Sequence, residues 1–137
     1  MKTVGRIDFI SSFEEWCQNY EIILENDTYQ GKKTNRKLID LSESKDKRMW
    51  NLIERFVKKE DVKQVLLMKY YKNGKLGLHR DKGKHRMVWS LSNKNFNFIW
   101  NGDVYSCNKG YIYNFDGKMI HGLQGTVSDR WCLCWWK

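Results

Sequence analysis

The sequence predicts an antiparallel β sandwich or jelly roll that is preceded by two helices. Three observations lead to this prediction. Apolar residues follow helical spacing in the first part of the chain and strand-like patterns from residue 62 onward. Two Asn-Gly pairs, at 73–74 and 101–102, separate apolar runs, as they do in tight β hairpins. Aromatic residues make up 15% of the 137 residues, which suits a β-rich core.

The chain is expected to form one domain over residues 1–137, because it contains no proline and no low-complexity stretch that would mark a linker. A monomer is the expected oligomeric state. Residues 1–61 would supply two helices and a short basic lid-like loop, and residues 62–137 the β core. No apolar run reaches the roughly 20 residues of a membrane span, so no membrane association is expected. The four cysteines occur without a signal peptide, which favours a reducing, cytoplasmic location.

Two helices are predicted before the β core. The first covers roughly residues 12–23, where apolar side chains follow helical spacing. Its start offers two alternative capping boxes, Ser11 with Glu14 and Ser12 with Glu15. The second covers roughly residues 45–60, where an apolar stripe opposes a charged face, and Ser42 or Ser44 would cap it.

A basic, turn-like segment lies between the two helices at residues 29–37. Together with the net charge of +9, it makes a nucleic acid the expected partner. The contact surface would include four cations of this segment: Lys32, Lys33, Arg36 and Lys37. The alternative is a solvated surface loop or hairpin with no specific partner.

From residue 62 the pattern predicts about eight strands joined by short turns. The runs cover residues 65–71, 75–79, 87–92, 96–100, 103–107, 110–115, 119–123 and 130–136. Asn73-Gly74 would join the first two runs as a hairpin, and Asn101-Gly102 the fourth and fifth, because Asn and Gly tolerate positive φ. Alternation in the last run places Trp131, Leu133 and Trp135 on a face that packs under the helices.

A metal site is predicted around His79 and Asp81, which lie two residues apart after an apolar run, so that one turn can direct both at one ion. The third ligand would be His121 or His85, the remaining histidines of the chain. Two imidazoles and one carboxylate with open coordination positions form the facial triad of non-haem Fe(II) oxygenases. Arg130, at the head of the last strand, would then hold an anionic cosubstrate beside the metal. His85 itself is expected to be an exposed loop residue.

These residues form an ordered set that resembles the pattern of AlkB-type dioxygenases, which depend on 2-oxoglutarate and Fe(II). The set consists of Tyr70, a turn, the Leu-x-Leu-His-x-Asp run at 76–81, His121-Gly122-Leu123 and Arg130. The resemblance implies a double-stranded β-helix in which His79, Asp81 and His121 hold Fe(II). It also implies that 2-oxoglutarate chelates the metal, and that Arg130 and Tyr70 bind the cosubstrate.

The reaction implied by the resemblance consumes O2 and 2-oxoglutarate, releases succinate and CO2, and oxidises a C–H bond of a nucleic-acid base or nucleotide. On an N-methylated base it amounts to hydroxylation followed by loss of formaldehyde. Four positions depart from the family's pattern: Met68 and Cys132 replace asparagines, Trp136 a second arginine, and Gly83 an acidic residue. None of the four is a metal ligand.

Other functions fit the same residues. A protein side-chain hydroxylase is favoured by the shortness of the region before the β core, and an inactive, basic nucleic-acid-binding β domain by the changes at Met68 and Trp136. With Cys107 and a histidine, Cys132 and Cys134 would make a zinc site, although their spacing is that of same-face strand neighbours. Three tryptophans would either pack in the core or stack on a base: Trp89, Trp100 and Trp136. A small chain of this composition would suit a phage or other virus.

Overall fold

The computed structural model describes residues 1–27 and 34–137, which form two antiparallel sheets and two short helices. The strands are β1 Lys2–Arg6, β2 Glu25–Asp27, β3 Arg36–Asp40, β4 Gln64–Tyr70, β5 Lys84–Trp89, β6 Phe96–Trp100, β7 Asp103–Tyr105, β8 Tyr111–Asp116, β9 His121–Gly125 and β10 Arg130–Trp136. The helices are α1 Phe13–Gln18 and α2 Lys47–Ile53. The larger sheet has the order β1-β8-β5-β10-β4-β3-β2, and the smaller sheet the order β7-β6-β9. This arrangement confirms the predicted jelly roll, a double-stranded β-helix with N-terminal helices.

Apolar layers cover both faces of the larger sheet. The outer layer joins both helices to the sheet, and its members include Phe13, Trp16, Leu52, Ile53, Trp131, Leu133 and Trp135. The inner layer joins the two sheets, and its members include Met68, Trp89, Phe98, Leu123, Cys132 and Cys134. The side chains of β10 therefore alternate between the layers, and the prediction that residues 131, 133 and 135 pack under the helices is confirmed.

Both helices are shorter than the sequence predicts. α1 ends at Gln18 and is followed by a separate 3-10 turn at Glu21–Ile23, and α2 ends at Ile53 rather than near residue 60. Ser12 occupies the N-cap of α1 but makes no capping hydrogen bond, because its hydroxyl donates to the carbonyl of Phe9 at 3.3 Å. Ser11 lies inside the preceding 3-10 turn, Ile10–Ser12, so both predicted capping boxes are wrong.

Asp46 caps α2, in place of the serines predicted for this role at positions 42 and 44. Its carboxylate accepts hydrogen bonds from Met49 N at 3.1 Å, Trp16 Nε1 at 2.8 Å and the Tyr20 hydroxyl at 2.6 Å. One carboxylate thus starts α2 and ties it to α1. Burial raises the pKa of Asp46, but these hydrogen bonds outweigh burial and hold the pKa below its ordinary value.

The two Asn-Gly turns lead to different structures. Asn101 and Gly102 both have positive φ, at 50° and 83°, and join β6 to β7 as the predicted hairpin. Asn73 also has a positive φ, 60°, but the chain after it does not return along β4. Both edges of β4 are already paired, one with β10 and the other with β3. The prediction of a hairpin between residues 65–71 and 75–79 is therefore wrong.

After this turn the chain crosses to the smaller sheet and runs beside β9. His79 and His121 exchange two backbone hydrogen bonds, at 2.8 and 2.9 Å, and Leu123 N donates to the carbonyl of Leu76 at 2.9 Å. The segment from Leu76 to His79 thus extends the smaller sheet at the free edge of β9. This crossover is what brings two distant parts of the sequence together.

The larger sheet has two edge strands that the sequence pattern did not predict. β1 pairs with β8, and β2 pairs with β3. Of the predicted basic segment, residues 29–33 lie outside the described residues, and residues 36 and 37 open β3. Neither helix that the structure describes has the length and apolar character needed to cross a membrane.

Candidate metal centre

The crossover places His79, Asp81 and His121 around one point. Each offers a ligand atom, and the three atoms lie within 4.8 Å of one another. The His79 and His121 side chains are 6% and 4% exposed, whereas that of Asp81 is 37% exposed. The structure therefore brings together the first two predicted ligands and His121 in a pocket that opens at Asp81.

Backbone carbonyls orient both imidazoles. The Nδ1 atom of His79 lies 2.7 Å from the carbonyl oxygen of Gly77, and that of His121 lies 2.8 Å from the carbonyl oxygen of Met119. Because a carbonyl oxygen can only accept, each Nδ1 carries a proton and donates. The second nitrogen of each ring, Nε2, is left to face the centre. This is the outer-sphere arrangement that fixes metal-binding histidines in one tautomer.

The electrostatics of the centre call for a cation. The two Nε2 atoms lie 3.1 and 3.2 Å from the same oxygen, Oδ2 of Asp81. With both Nδ1 atoms protonated, neutral rings would direct two lone pairs at a carboxylate, which is repulsive unless a proton or a metal ion lies between them. Two nitrogens and one carboxylate oxygen match the preferences of divalent transition metals and leave coordination positions open. These residues fit a metal ion.

The contacts of this centre also shift the pKa values of Asp81 and His79. Burial raises the pKa of Asp81, but the hydrogen bonds with His121 and His79 outweigh burial and hold it well below its ordinary value. Burial lowers the pKa of His79, but the bonds to Asp81 and Gly77 outweigh this and raise it. The contact between Asp81 and His79 therefore favours the charged form of both side chains.

A cavity of about 520 Å³ leads from the three ligands into the space between the sheets. Its walls are mostly apolar and include Leu66, Leu76, Met87, Phe98, Phe115 and Leu123. Tyr70, which the family resemblance implied as a cosubstrate-binding residue, also lines it. A small organic anion would fit a volume of this size, provided that a cation meets its charge.

Arg36 supplies a cation to this cavity. Its side chain is 7% exposed, and it lines the cavity with Tyr70 and the three metal-ligating candidates. Arg36 was expected to lie on a basic surface, and its burial corrects that expectation. Alternation in β3 turns Arg36 toward the same side as Leu38, which also lines the cavity. That alternation is the sequence signal that could have revealed it.

Arg130, which was expected to hold an anionic cosubstrate beside the metal, begins β10, but the cavity lining does not include it. Its guanidinium carbon lies 5.3 Å from the ring centroid of Phe96, a cation–π contact. Its Nε atom is buried and has no hydrogen-bond partner among the described residues. Burial lowers the pKa of Arg130.

His85 is not the exposed loop residue that the sequence suggested. It lies in β5, is 3% exposed, and stacks between Phe115 and Trp136. Its Nε2 atom lies 2.9 Å from the carbonyl oxygen of Lys82, and its Nδ1 atom lies 3.7 Å from the thiol sulfur of Cys134. His85 is thus part of the packed wall and not of the ligand group.

The remaining site candidates are distributed between the wall and the surface. Within residues 1–27 and 34–137, the only group that converges as metal ligands is His79, Asp81 and His121, so the zinc site built on the cysteines does not form. Trp89 and Trp136 line the cavity, and Trp100 does not. Lys37 is half-buried with its ammonium above the Tyr71 ring, and Lys32 and Lys33 lie outside the described residues.

The geometry thus defines a jelly-roll protein with a two-histidine, one-carboxylate centre. The sequence matches no protein-family model and no curated protein. Solved structures share the fold. A predicted oxalate decarboxylase from Thermotoga maritima has a TM-score of 0.54 at 17% identity, covering 82% of this chain and 89% of that chain.

Two further structures of the same fold are enzymes by their names. The non-haem α-ketoglutarate-dependent epimerase SnoN from nogalamycin biosynthesis has a TM-score of 0.73 at 7% identity, covering 98% of this chain and 75% of that chain. The ribosomal oxygenase YcfD from Escherichia coli has a TM-score of 0.59 at 9% identity, covering 74% of this chain and 31% of that chain. At these identities the likeness shows the fold, which is the jelly roll of cupin-like proteins.

Proposed function

We propose that this chain is a 2-oxoglutarate- and Fe(II)-dependent dioxygenase of AlkB type, in which His79, Asp81 and His121 hold the metal. The convergence of these three side chains at one end of an apolar cavity carries the proposal. The ordered motif set of Tyr70, His-x-Asp, His-Gly-Leu and arginine supports the AlkB type. The fold is also that of an α-ketoglutarate-dependent epimerase and of an oxygenase.

Each ligand has a task that follows from its contacts. His79 and His121 present Nε2 lone pairs, because their Nδ1 protons are held by backbone carbonyls. Asp81 presents an anionic oxygen that offsets part of the charge of the ion. When bound, Fe(II) supplies the redox chemistry, in which a substrate C–H becomes C–OH while 2-oxoglutarate and O2 become succinate and CO2. The apolar walls exclude water from the reacting groups.

A nucleic-acid base or nucleotide is the proposed substrate. Arg80 and Lys82 adjoin Asp81 along the chain, and Asp81 N donates to the carbonyl of Gly117, the residue before Lys118, at 2.7 Å. Lys82 lines the cavity, and the Arg80 guanidinium donates to the carbonyl of Lys118 at 3.5 Å. Cations next to Asp81 would attract phosphates, and the net charge of +9 adds a long-range field of the same sign. The four buried, unpaired cysteines fit a reducing compartment, where intracellular nucleic acids occur.

Fe(II)-dependent conversion of 2-oxoglutarate to succinate tests the reaction class. The wild-type protein should form succinate with Fe(II), and His79→Ala and His121→Ala should not. His85→Gln is the matched control, because this ring lies in the cavity wall without belonging to the ligand group, so Fe(II) binding should persist. Wild-type turnover indistinguishable from that of His79→Ala would refute the proposal.

A substrate comparison separates the two alternative functions from the proposed one. Loss of a methyl group from a methylated single-stranded oligonucleotide, seen by mass spectrometry, is the expected result. Gain of one oxygen by a protein, with methylated oligonucleotides unchanged, would make the chain a side-chain hydroxylase. Salt-sensitive nucleic-acid binding that survives in His79→Ala, without succinate formation by the wild type, would make it an inactive binding domain.

A further inference from the structure

Arg36 is a buried cation in the cavity wall, and it comes from an N-terminal strand rather than from the β core. β3 pairs with β4 so that Arg36 lies directly opposite Tyr70, and both side chains point into the cavity. Burial lowers the pKa of Arg36, but Tyr70 and Asp27 outweigh burial and raise it, so the guanidinium is charged. A charged group in an apolar cavity is stable only with anionic or strongly accepting partners.

The partners of Arg36 are unevenly distributed over its guanidinium. Nε lies 2.7 Å from Oδ2 of Asp27, and Nη2 pairs with the same oxygen. Nη1 donates to the Tyr70 hydroxyl at 3.1 Å and contacts the Met68 thioether sulfur at 3.2 Å. A thioether is a weak acceptor, and a phenol oxygen is neutral. The Nη1 side would therefore gain most from a carboxylate in the cavity.

Two arginines flank Tyr70 in one row of the larger sheet. Arg130 pairs with Tyr70 from β10, and Arg36 pairs with Tyr70 from β3. Only Arg36 lines the cavity, whereas Arg130 packs over Phe96. Met68, which stands where the AlkB pattern has an asparagine, is the residue whose sulfur contacts Arg36.

We propose that Arg36, and not Arg130, binds the far carboxylate of the keto-acid cosubstrate, with the Tyr70 hydroxyl as a second donor. The inference rests on the proposed function, because it requires a keto acid on the metal. It assigns the cosubstrate-binding arginine to the N-terminal strand β3 instead of the last strand, β10. Asp27, which shares the Arg36 guanidinium and also lines the cavity, then competes with the cosubstrate for the same charge.

A pair of keto acids isolates the far carboxylate. 2-Oxoglutarate and 2-oxopentanoate have the same chain length and the same metal-chelating end, but the second ends in a methyl group. Their dissociation constants are measured by calorimetry with Mn(II) in place of Fe(II), and by quenching of tryptophan fluorescence, to which Trp89 and Trp136 in the cavity wall contribute. We expect the wild type to prefer 2-oxoglutarate by about ten- to a hundredfold, the range of a charge-assisted hydrogen-bond pair.

Matched variants of the two arginines then show which of them causes the preference for 2-oxoglutarate. Arg36→Gln should abolish the preference and leave 2-oxopentanoate affinity near that of the wild type, whereas Arg130→Gln should retain the preference. A preference kept in Arg36→Gln and lost in Arg130→Gln would overturn the assignment while leaving the proposed function intact. Failure of the wild type to bind either keto acid would overturn both.

Two further variants keep the test decisive if Arg36→Gln does not fold. Arg36→Lys retains a charge for Asp27 but loses the planar fork, so the preference should fall by about tenfold. Asp27→Asn removes the competing charge, so 2-oxoglutarate should bind more tightly while 2-oxopentanoate binding stays the same. Equal changes for both keto acids in these variants would contradict a direct contact between Arg36 and the far carboxylate.

Discussion

Replacing Gly122 by alanine should push the segment that carries His79 away from β9. A Cβ atom at Gly122 would lie 2.7 Å from the carbonyl oxygen of Gly77 and 3.1 Å from that of Leu76. Gly122 follows His121 directly, and Gly77 lies two residues before His79, so the clash falls between two of the candidate metal ligands. The φ of Gly122 does not lie in the left-handed region, and the cost is therefore steric alone.

The size of the effect follows from these distances. Ordinary contact begins at 3.4 Å, so the carbonyl at 2.7 Å must retreat by about 0.7 Å. Overpacking of this kind costs about 1–3 kcal/mol in the free energy of unfolding. Metal sites tolerate ligand displacements of about 0.5 Å, so metal affinity should fall by about tenfold or more.

The measurement compares Gly122→Ala with Gly77→Ala. Gly77 lies in the segment that Gly122→Ala would displace, two residues before His79, but a Cβ at Gly77 would meet nothing within 4 Å. Urea denaturation of the metal-free proteins gives the free energy of unfolding, and calorimetry with Co(II) gives metal affinity. Gly122→Ala should be weaker in both, and Gly77→Ala should stay close to the wild type in both.

Wild-type stability and metal affinity in Gly122→Ala would refute this reasoning. They would mean that the 76–79 segment is free to move away from β9 without disturbing the centre. Loss of stability with unchanged metal affinity would refute only the claim that the pairing of residues 76–79 with β9 holds His79 in place.

Three other predictions concern the scaffold. Asp46→Ala should lower the free energy of unfolding by about 1–2 kcal/mol near neutral pH. Because the folded pKa of Asp46 lies below its ordinary value of 3.8, the difference from the wild type should shrink as pH falls below 3.8. Urea denaturation at neutral pH and at about pH 3 checks this. Leu133→Ala should cost about 2–5 kcal/mol because Leu133 is 0% exposed, whereas Val104→Ala, at a position that is 57% exposed, should change the free energy of unfolding by less than about 0.5 kcal/mol. Gly102→Ala should cost about 1–2 kcal/mol through its φ of 83° alone, since a Cβ there meets nothing within 4 Å, and calorimetry should find metal affinity unchanged.

Local patterns predicted the jelly roll and most of its strands, because each strand of the β core carries its own alternation or turn signal. The hairpin after Asn73 was mispredicted for the same reason. An Asn-Gly turn specifies that the chain reverses, but not whether the neighbouring strand edge is free. The partner of residues 76–79 is β9, more than forty residues later in the chain, and no local pattern encodes that pairing.

The three metal-ligating candidates were identified from sequence because the His-x-Asp spacing and the later His-Gly-Leu are local signals. Arg36 was assigned to the surface because a basic segment surrounds it and the pairing of β3 with β4 is not visible in the sequence. β1 was missed because Lys2–Arg6 is an edge strand without apolar alternation. The existence of most strands could therefore be predicted from the sequence, whereas the order of the strands in the sheets could not.

The alternation along β10 divides one strand between the cavity wall and the layer beneath the helices. Positions 132, 134 and 136 line the cavity, while positions 131, 133 and 135 belong to the layer beneath the helices. Substitutions at the even positions would change the shape of the cavity, and at Cys132 and Cys134, which are 2% and 8% exposed, they would also change the packing between the two sheets. One strand thus shapes the cavity and packs against the helices through positions that alternate residue by residue.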